Sequence, residues 1–178
     1  AARGWLIVTA EQNRNRHLSA VPRDESESNP LDDAVMAEVT VRCPAPETFA
    51  LFLDTLADWW PLKDYSMAPG EVVDVEVDRR PGGAITEIRR DGSRARWGTL
   101  LTWEPPHRFA MDWHVTPGLE QTVITVTFKA VSPQVTKVSL VHSGWQGIDP
   151  ARLGMQLGYT QGWTAILRCF TRSLESED

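Results

Sequence analysis

The stretch GTLLTWEPPHRFAMDW, Gly98 to Trp113, reads as two strands and the turn that joins them. Leucine, threonine and tryptophan run up to Glu104, and Pro105-Pro106 then removes two backbone donors, which ends a strand. An alternating segment returns from His107 to Val115, with Phe109, Met111 and Trp113 on one side, the period-two pattern of a half-buried strand.

Outward from this pair the same pattern repeats. Upstream, Asp91-Gly92 is a two-residue hairpin signal, because both central positions of a type I′ turn need positive φ. Before it Val73, Val75 and Val77 alternate with Asp74, Glu76 and Asp78, and Pro81-Gly82-Gly83 turns the chain. Downstream, Pro117-Gly118 turns again, and Gln121 to Ala130 and Val135 to Ser143, joined at Ser132-Pro133, complete a meander of about six antiparallel strands. One more strand comes first, Val35 to Arg42, with Val35, Ala37, Val39 and Val41 on one face. Pro44 and Pro46 then open a helix whose Phe49, Phe52, Leu53 and Leu56 recur at three- and four-residue spacing, and Asp58 to Pro61 closes it through a second short helix or a turn. The last element is a long helix, roughly 150–174, for which Leu153, Leu157, Thr160, Trp163, Leu167, Phe170 and Leu174 are expected on the sheet side. The fold class is α+β: a curved antiparallel sheet of about seven strands around a long C-terminal helix, with one or two short helices after the first strand.

A chain of 178 residues suits one such core. Residues 1–34 differ in kind, polar and without periodicity, and read as a flexible arm ahead of a domain spanning 35–178. A formal net charge of −6 speaks against a nucleic-acid partner. Arg79, Arg80, Arg89, Arg90, Arg94 and Arg96 cluster at two turns, either as an anion patch or, the better reading, as solvated hairpin ends. No apolar run is long enough for a membrane helix, no signal peptide is evident, and a cytoplasmic location is expected. The two cysteines, Cys43 and Cys169, have no metal-ligand spacing and read as free thiols, so neither a metal nor a cofactor is expected.

In their order and spacing, several pieces resemble the START-like superfamily on the branch named after the activator of the heat-shock protein 90 ATPase. They are Pro44-Ala45-Pro46, Trp59-Trp60-Pro61, RPGG at Arg80 to Gly83, the Gly98 to Trp113 stretch, VSLVHSGW from Val138 to Trp145, and Gly162-Trp163. The resemblance covers residues 36–174 and implies the helix-grip fold, in which the last helix closes a cavity left by the sheet. The polar arm and a run of glycines in the last helix depart from the pattern. Relatives include lipid and hormone carriers, aromatase/cyclase enzymes and co-chaperone domains, so the resemblance implies three readings. The leading one is a non-enzymatic binder of a small apolar or aromatic molecule. The others are a co-chaperone-like domain acting on a heat-shock ATPase, and a cyclase or dehydratase using the same cavity.

The residues themselves favour the binder. Among eight tryptophans, those at strand ends and beside the short helices can line an apolar pocket, although plain core packing competes at each one. Expected lining residues are Phe52, Trp60, Tyr65, Trp97, Met111, Trp113, His142 and Trp163, around a cavity of roughly 300 Å³ or more if a drug-sized ligand is to fit. His142 shares parity with Val138 and Leu140 and is expected inside, as a hydrogen-bonded or ligand-orienting group rather than a base. Glu87 shares parity with Ile85, so it either points inward as a candidate acid or pairs at the surface with an arginine, the favoured alternative. His114, on the opposite parity to Trp113, is expected to face solvent. No catalytic motif is present. Gly154, Gly158 and Gly162 recur every four residues on the side expected to face away from Leu157 and Leu167, which fits either a second subunit, as in a homodimer, or a tolerated exposed stripe.

Overall fold

Seven strands form one antiparallel sheet in the order β1-β7-β6-β5-β4-β3-β2. The structure, a computed structural model, describes residues 34–148 and 154–176. The expected arm therefore falls, but for Ala34, outside the described residues, as does Leu153. The elements are β1 (Val35–Val41), α1 (Ala45–Asp54), α2 (Leu56–Trp59), β2 (Val72–Val77), β3 (Ala84–Arg89), β4 (Arg94–Glu104), β5 (Arg108–Asp112), β6 (Val123–Ser132), β7 (Val135–Ser143), a 3-10 turn at Trp145–Gly147, and α3 (Gly154–Glu175). This is the helix-grip architecture expected: a meander from β2 to β7, with β1 returning to the free edge of β7.

Alternation fixes which side of each strand faces α3. Along β7, Thr136, Val138, Leu140 and His142 are buried and their neighbours are not. Along β3 the buried pair is Ile85 and Glu87. The sheet curls because the register slips at Val72/Asp74, Ile85/Thr86, Leu100/Thr102 and Ala130/Ser132, and each such bulge sharpens the local twist. One slip overturns an expectation. The bulge at Val72/Asp74 breaks the alternation of β2, so Val75 is buried while Val73 stands 52% exposed.

The face of α3 also differs from the one expected. Tyr159, Gly162, Trp163, Ile166, Leu167 and Phe170 are buried, with Met155 and Leu174 packed at the margins. Leu157 is 65% exposed and Thr160 is exposed. The stripe that runs Tyr159, Trp163, Ile166, Phe170 keeps the helical period, and Leu157 lies about a third of a turn away from Trp163. Gly162 consequently lies on the buried side, while Gly154 is exposed, so the three glycines do not share one environment.

Where β4 meets β5 the backbones come too close for a side chain. A Cβ on Gly98 would stand 1.9 Å from the Asp112 carbonyl oxygen and 2.6 Å from the Met111 methyl. Glycine at 98 therefore seats Met111 against bare backbone.

Candidate binding site

Four indoles, one or two from each wall of the interior, close a ring. Trp60 follows α2, Trp97 lies on β4, Trp113 follows β5 and Trp163 comes from α3. Centroid separations around the circuit are 4.9 Å for Trp60 and Trp97, 6.5 Å for Trp97 and Trp113, 5.0 Å for Trp113 and Trp163, and 6.0 Å for Trp163 and Trp60. All the pairs are tilted or edge-on, the arrangement that ring quadrupoles favour.

Each indole N–H is already bonded, and to a residue behind the ring. Trp60 Nε1 donates to the Tyr65 carbonyl at 2.6 Å, and Trp97 Nε1 to Glu87 Oε2 at 2.7 Å. Trp113 Nε1 donates to the Tyr159 hydroxyl at 2.9 Å, and Trp163 Nε1 to His142 Nδ1 at 3.2 Å. The ring encloses a void of about 30 Å³, lined by carbon and the Met111 thioether: beside the four tryptophans stand Phe52, Phe109, Met111 and six aliphatic residues.

Of the eight residues expected in the lining, Phe52, Trp60, Trp97, Met111, Trp113 and Trp163 are brought together there. Tyr65 and His142 are not. They stand one layer further out, where each accepts the hydrogen bond that fixes a tryptophan. The volume is a second departure. A void of 30 Å³ is an order of magnitude below the drug-sized cavity expected, because indoles whose centroids stand 4.9 to 6.5 Å apart leave little space between them.

The chemistry of His142 follows from its partners. An indole N–H can only donate, so the bond from Trp163 leaves Nδ1 as the unprotonated nitrogen. The proton sits on Nε2, which donates to Thr122 Oγ1 at 2.7 Å, and that hydroxyl donates to the Leu119 carbonyl at 2.7 Å. The ring is fully buried, and desolvation holds its pKa down at about 3. His142 is thus a neutral strut whose lone pair is occupied. Tyr159, hydrogen-bonded to Trp113 and Thr116, is pushed up to about 12 by burial.

Glu87 is inward and paired at once, which joins the two alternatives read from the sequence. Its side chain has no exposure, and its oxygens accept from the Met67 backbone at 2.9 Å, from Trp97, and from Arg89 at 2.9 Å. Sequence parity pointed it inward, yet the Met67 and Trp97 donors are nonlocal and left no local signal. Tyr159, which also escaped notice, carries one: it sits four residues before Trp163 and seven before Ile166. His114 is only half-buried, with Nε2 3.2 Å from Asp112 Oδ2 and off the axis of a hydrogen bond. The arginine cluster is largely neutralised, with Arg79 on Asp54, Arg80 on Asp78, Arg89 on Glu87 and Arg94 on Glu76. Among the described residues no group of His, Cys, Asp and Glu is arranged to hold a metal ion, and no helix is long and apolar enough to cross a membrane.

Comparison with solved structures finds the same architecture in protein MLL2253 from Mesorhizobium loti. The identity is 16%, covering 82% of this chain and 98% of that one, with a TM-score of 0.59. The Aha1 dimer from Colwellia psychrerythraea is similar at 16% identity, 80% and 96% coverage and a TM-score of 0.58. Txn09, an anthrahydroquino-γ-pyrone synthase, reaches 26% identity over 76% of this chain and 96% of its own, with a TM-score of 0.50. No curated protein matches the sequence. The model of the family described as Activator of Hsp90 ATPase homolog 1-like protein matches residues 42–175, three quarters of the chain and every described element from α1 to α3, so the chain belongs to that family.

Proposed function

We propose that this protein is a small-molecule-binding module whose ligand, an apolar or aromatic molecule, occupies the tryptophan ring between the sheet and α3. The observation that carries the reading is the ring itself: four indoles stand around one small void whose walls are apolar throughout. Aromatic walls of this kind stack well on flat guests. Txn09, similar in structure, is named as a synthase of a fused-ring compound, the shape such walls would accept. The 30 Å³ void means that the bound state is more open than this one. His142 and Glu87, the inward candidates for chemistry, both have their polar atoms occupied, so the reading is of a binder rather than a cyclase. Titrating tryptophan emission with a panel of polycyclic, monocyclic and acyl compounds tests it, together with native mass spectrometry of freshly purified protein. A saturable change with at least one class is expected. A flat response to every class, with no co-purified mass, would overturn the proposal.

The nearly filled interior favours a second reading, in which the domain acts through its surface on an ATPase, as the family description suggests. Stimulation of a heat-shock ATPase by the purified chain would support it, and an unchanged turnover rate would remove it.

A further inference from the structure

An engineered apolar cavity of about 150 Å³ takes benzene, so a void of about 30 Å³ must grow roughly fivefold to admit a single aromatic ring. The four indoles cannot readily give that space, because moving any of them breaks the bond at its Nε1. Ile85, Ile124 and Val126 are β-branched and stiff, and Leu53, Leu56 and Leu140, which complete the lining, are branched and turn about fewer bonds than methionine does. Phe52 and Phe109 are wedged against Phe128, at centroid distances of 5.4 and 6.4 Å.

Met111 differs from all of these. Its side chain is unbranched and turns about three bonds, the property that lets methionine refill irregular space. It lines the void, and it rests against Gly98, where the missing side chain leaves its methyl a berth on bare backbone.

We infer that Met111 is the movable wall of the site, and that the guest which takes its place is a small aromatic hydrocarbon bearing no hydrogen-bonding group. The inference rests on the proposed binding function and narrows its ligand. Every indole N–H on the ring is spent on Tyr65, Glu87, Tyr159 or His142, none of which lines the void. A hydroxyl or carboxylate brought inside would lose its water and find no partner, which disfavours it by about tenfold or more.

The test is a titration of protein carrying [methyl-13C]methionine with toluene, phenol and benzoate. The sequence has four methionines, and Met111→Leu assigns the resonance. Toluene should move the Met111 methyl signal saturably, phenol should bind at least tenfold more weakly, and benzoate should leave the spectrum unchanged. Met111→Ala should bind toluene at least tenfold more tightly than the parent, although the wild-type titration stands without it. Toluene binding, seen by tryptophan emission, with the Met111 signal unmoved would overturn the movable wall. Phenol binding within tenfold of toluene, or any saturable shift with benzoate, would overturn the selection rule. Silence towards all three overturns both parts, while a response to larger members of the emission panel would still uphold the broader binding function.

Discussion

His142 carries a consequence that can be measured without any ligand. Its pKa is about 3 in the folded chain and about 6.5 when unfolded, so below pH 6.5 the unfolded state takes up a proton that the native state refuses. Its contribution is therefore intact above pH 6.5 and is lost as pH falls towards 3, at about 1.4 kcal/mol per pH unit. Between pH 6.5 and 5, before most carboxylates titrate, roughly 2 kcal/mol should disappear. Denaturant melts at a series of pH values check this, and the loss should be absent from His142→Gln, whatever that variant's stability at neutral pH. A parallel slope in both proteins would mean that the buried imidazole is not the group responsible. The close approach at Gly98 can be measured too. Gly98→Ala puts a Cβ 1.9 Å from a backbone oxygen that cannot swing aside, so it should cost about 3 kcal/mol or more in chemical denaturation. A loss below 1 kcal/mol would show that β4 and β5 part more easily than their spacing implies.

Among the elements, α3 separates what its sequence disclosed from what it hid. Its position and length were legible from a long periodic segment ending the chain, and Trp163, Leu167 and Phe170 lie on the buried face as expected. Its rotation at the N-terminal end was not, because Leu157 is as apolar as the residues that are buried and Tyr159 looks amphipathic. What decides between them is the partner across the gap: Trp113 and Thr116 supply hydrogen bonds to Tyr159, and neither is near it in sequence. The two registers predict opposite mutational outcomes. Leu157→Ser should change stability by less than about 0.5 kcal/mol, whereas Leu167→Ala should cost about 2–5 kcal/mol, as urea unfolding will show. β2 teaches the same lesson in a strand, since a single bulge turned Val73 outward against a clean alternation. The segment between α2 and β2 depends on a buried carboxylate. Glu87→Ala would strand the Met67 amide, the Trp97 indole and Arg89 together. It should cost about 3 kcal/mol or more, with amide exchange rising first around residues 65–67. Protection there equal to wild type would contradict the anchoring role.

At the scale of the whole molecule, strand order and helix placement were readable because prolines, Asp-Gly and alternation are local signals, and a meander needs little else. Six of the eight expected lining residues converge because strand parity and helical period aimed them inward. The size of the space they enclose could not be read that way. It depends on how four indoles tilt against one another and on which outer residue holds each N–H, and those are properties of assembled walls. On the function and ligand proposed above, this nearly closed ring opens at Met111 to admit a small aromatic hydrocarbon between Trp60, Trp97, Trp113 and Trp163. The most direct measurement is a crystal structure of the protein exposed to toluene. Density for the guest at the centre of the four tryptophans, with the Met111 thioether displaced from the void it now lines, is the result predicted. An unaltered Met111 over an empty ring at saturating toluene, or a guest found only on the outer surface, would contradict it.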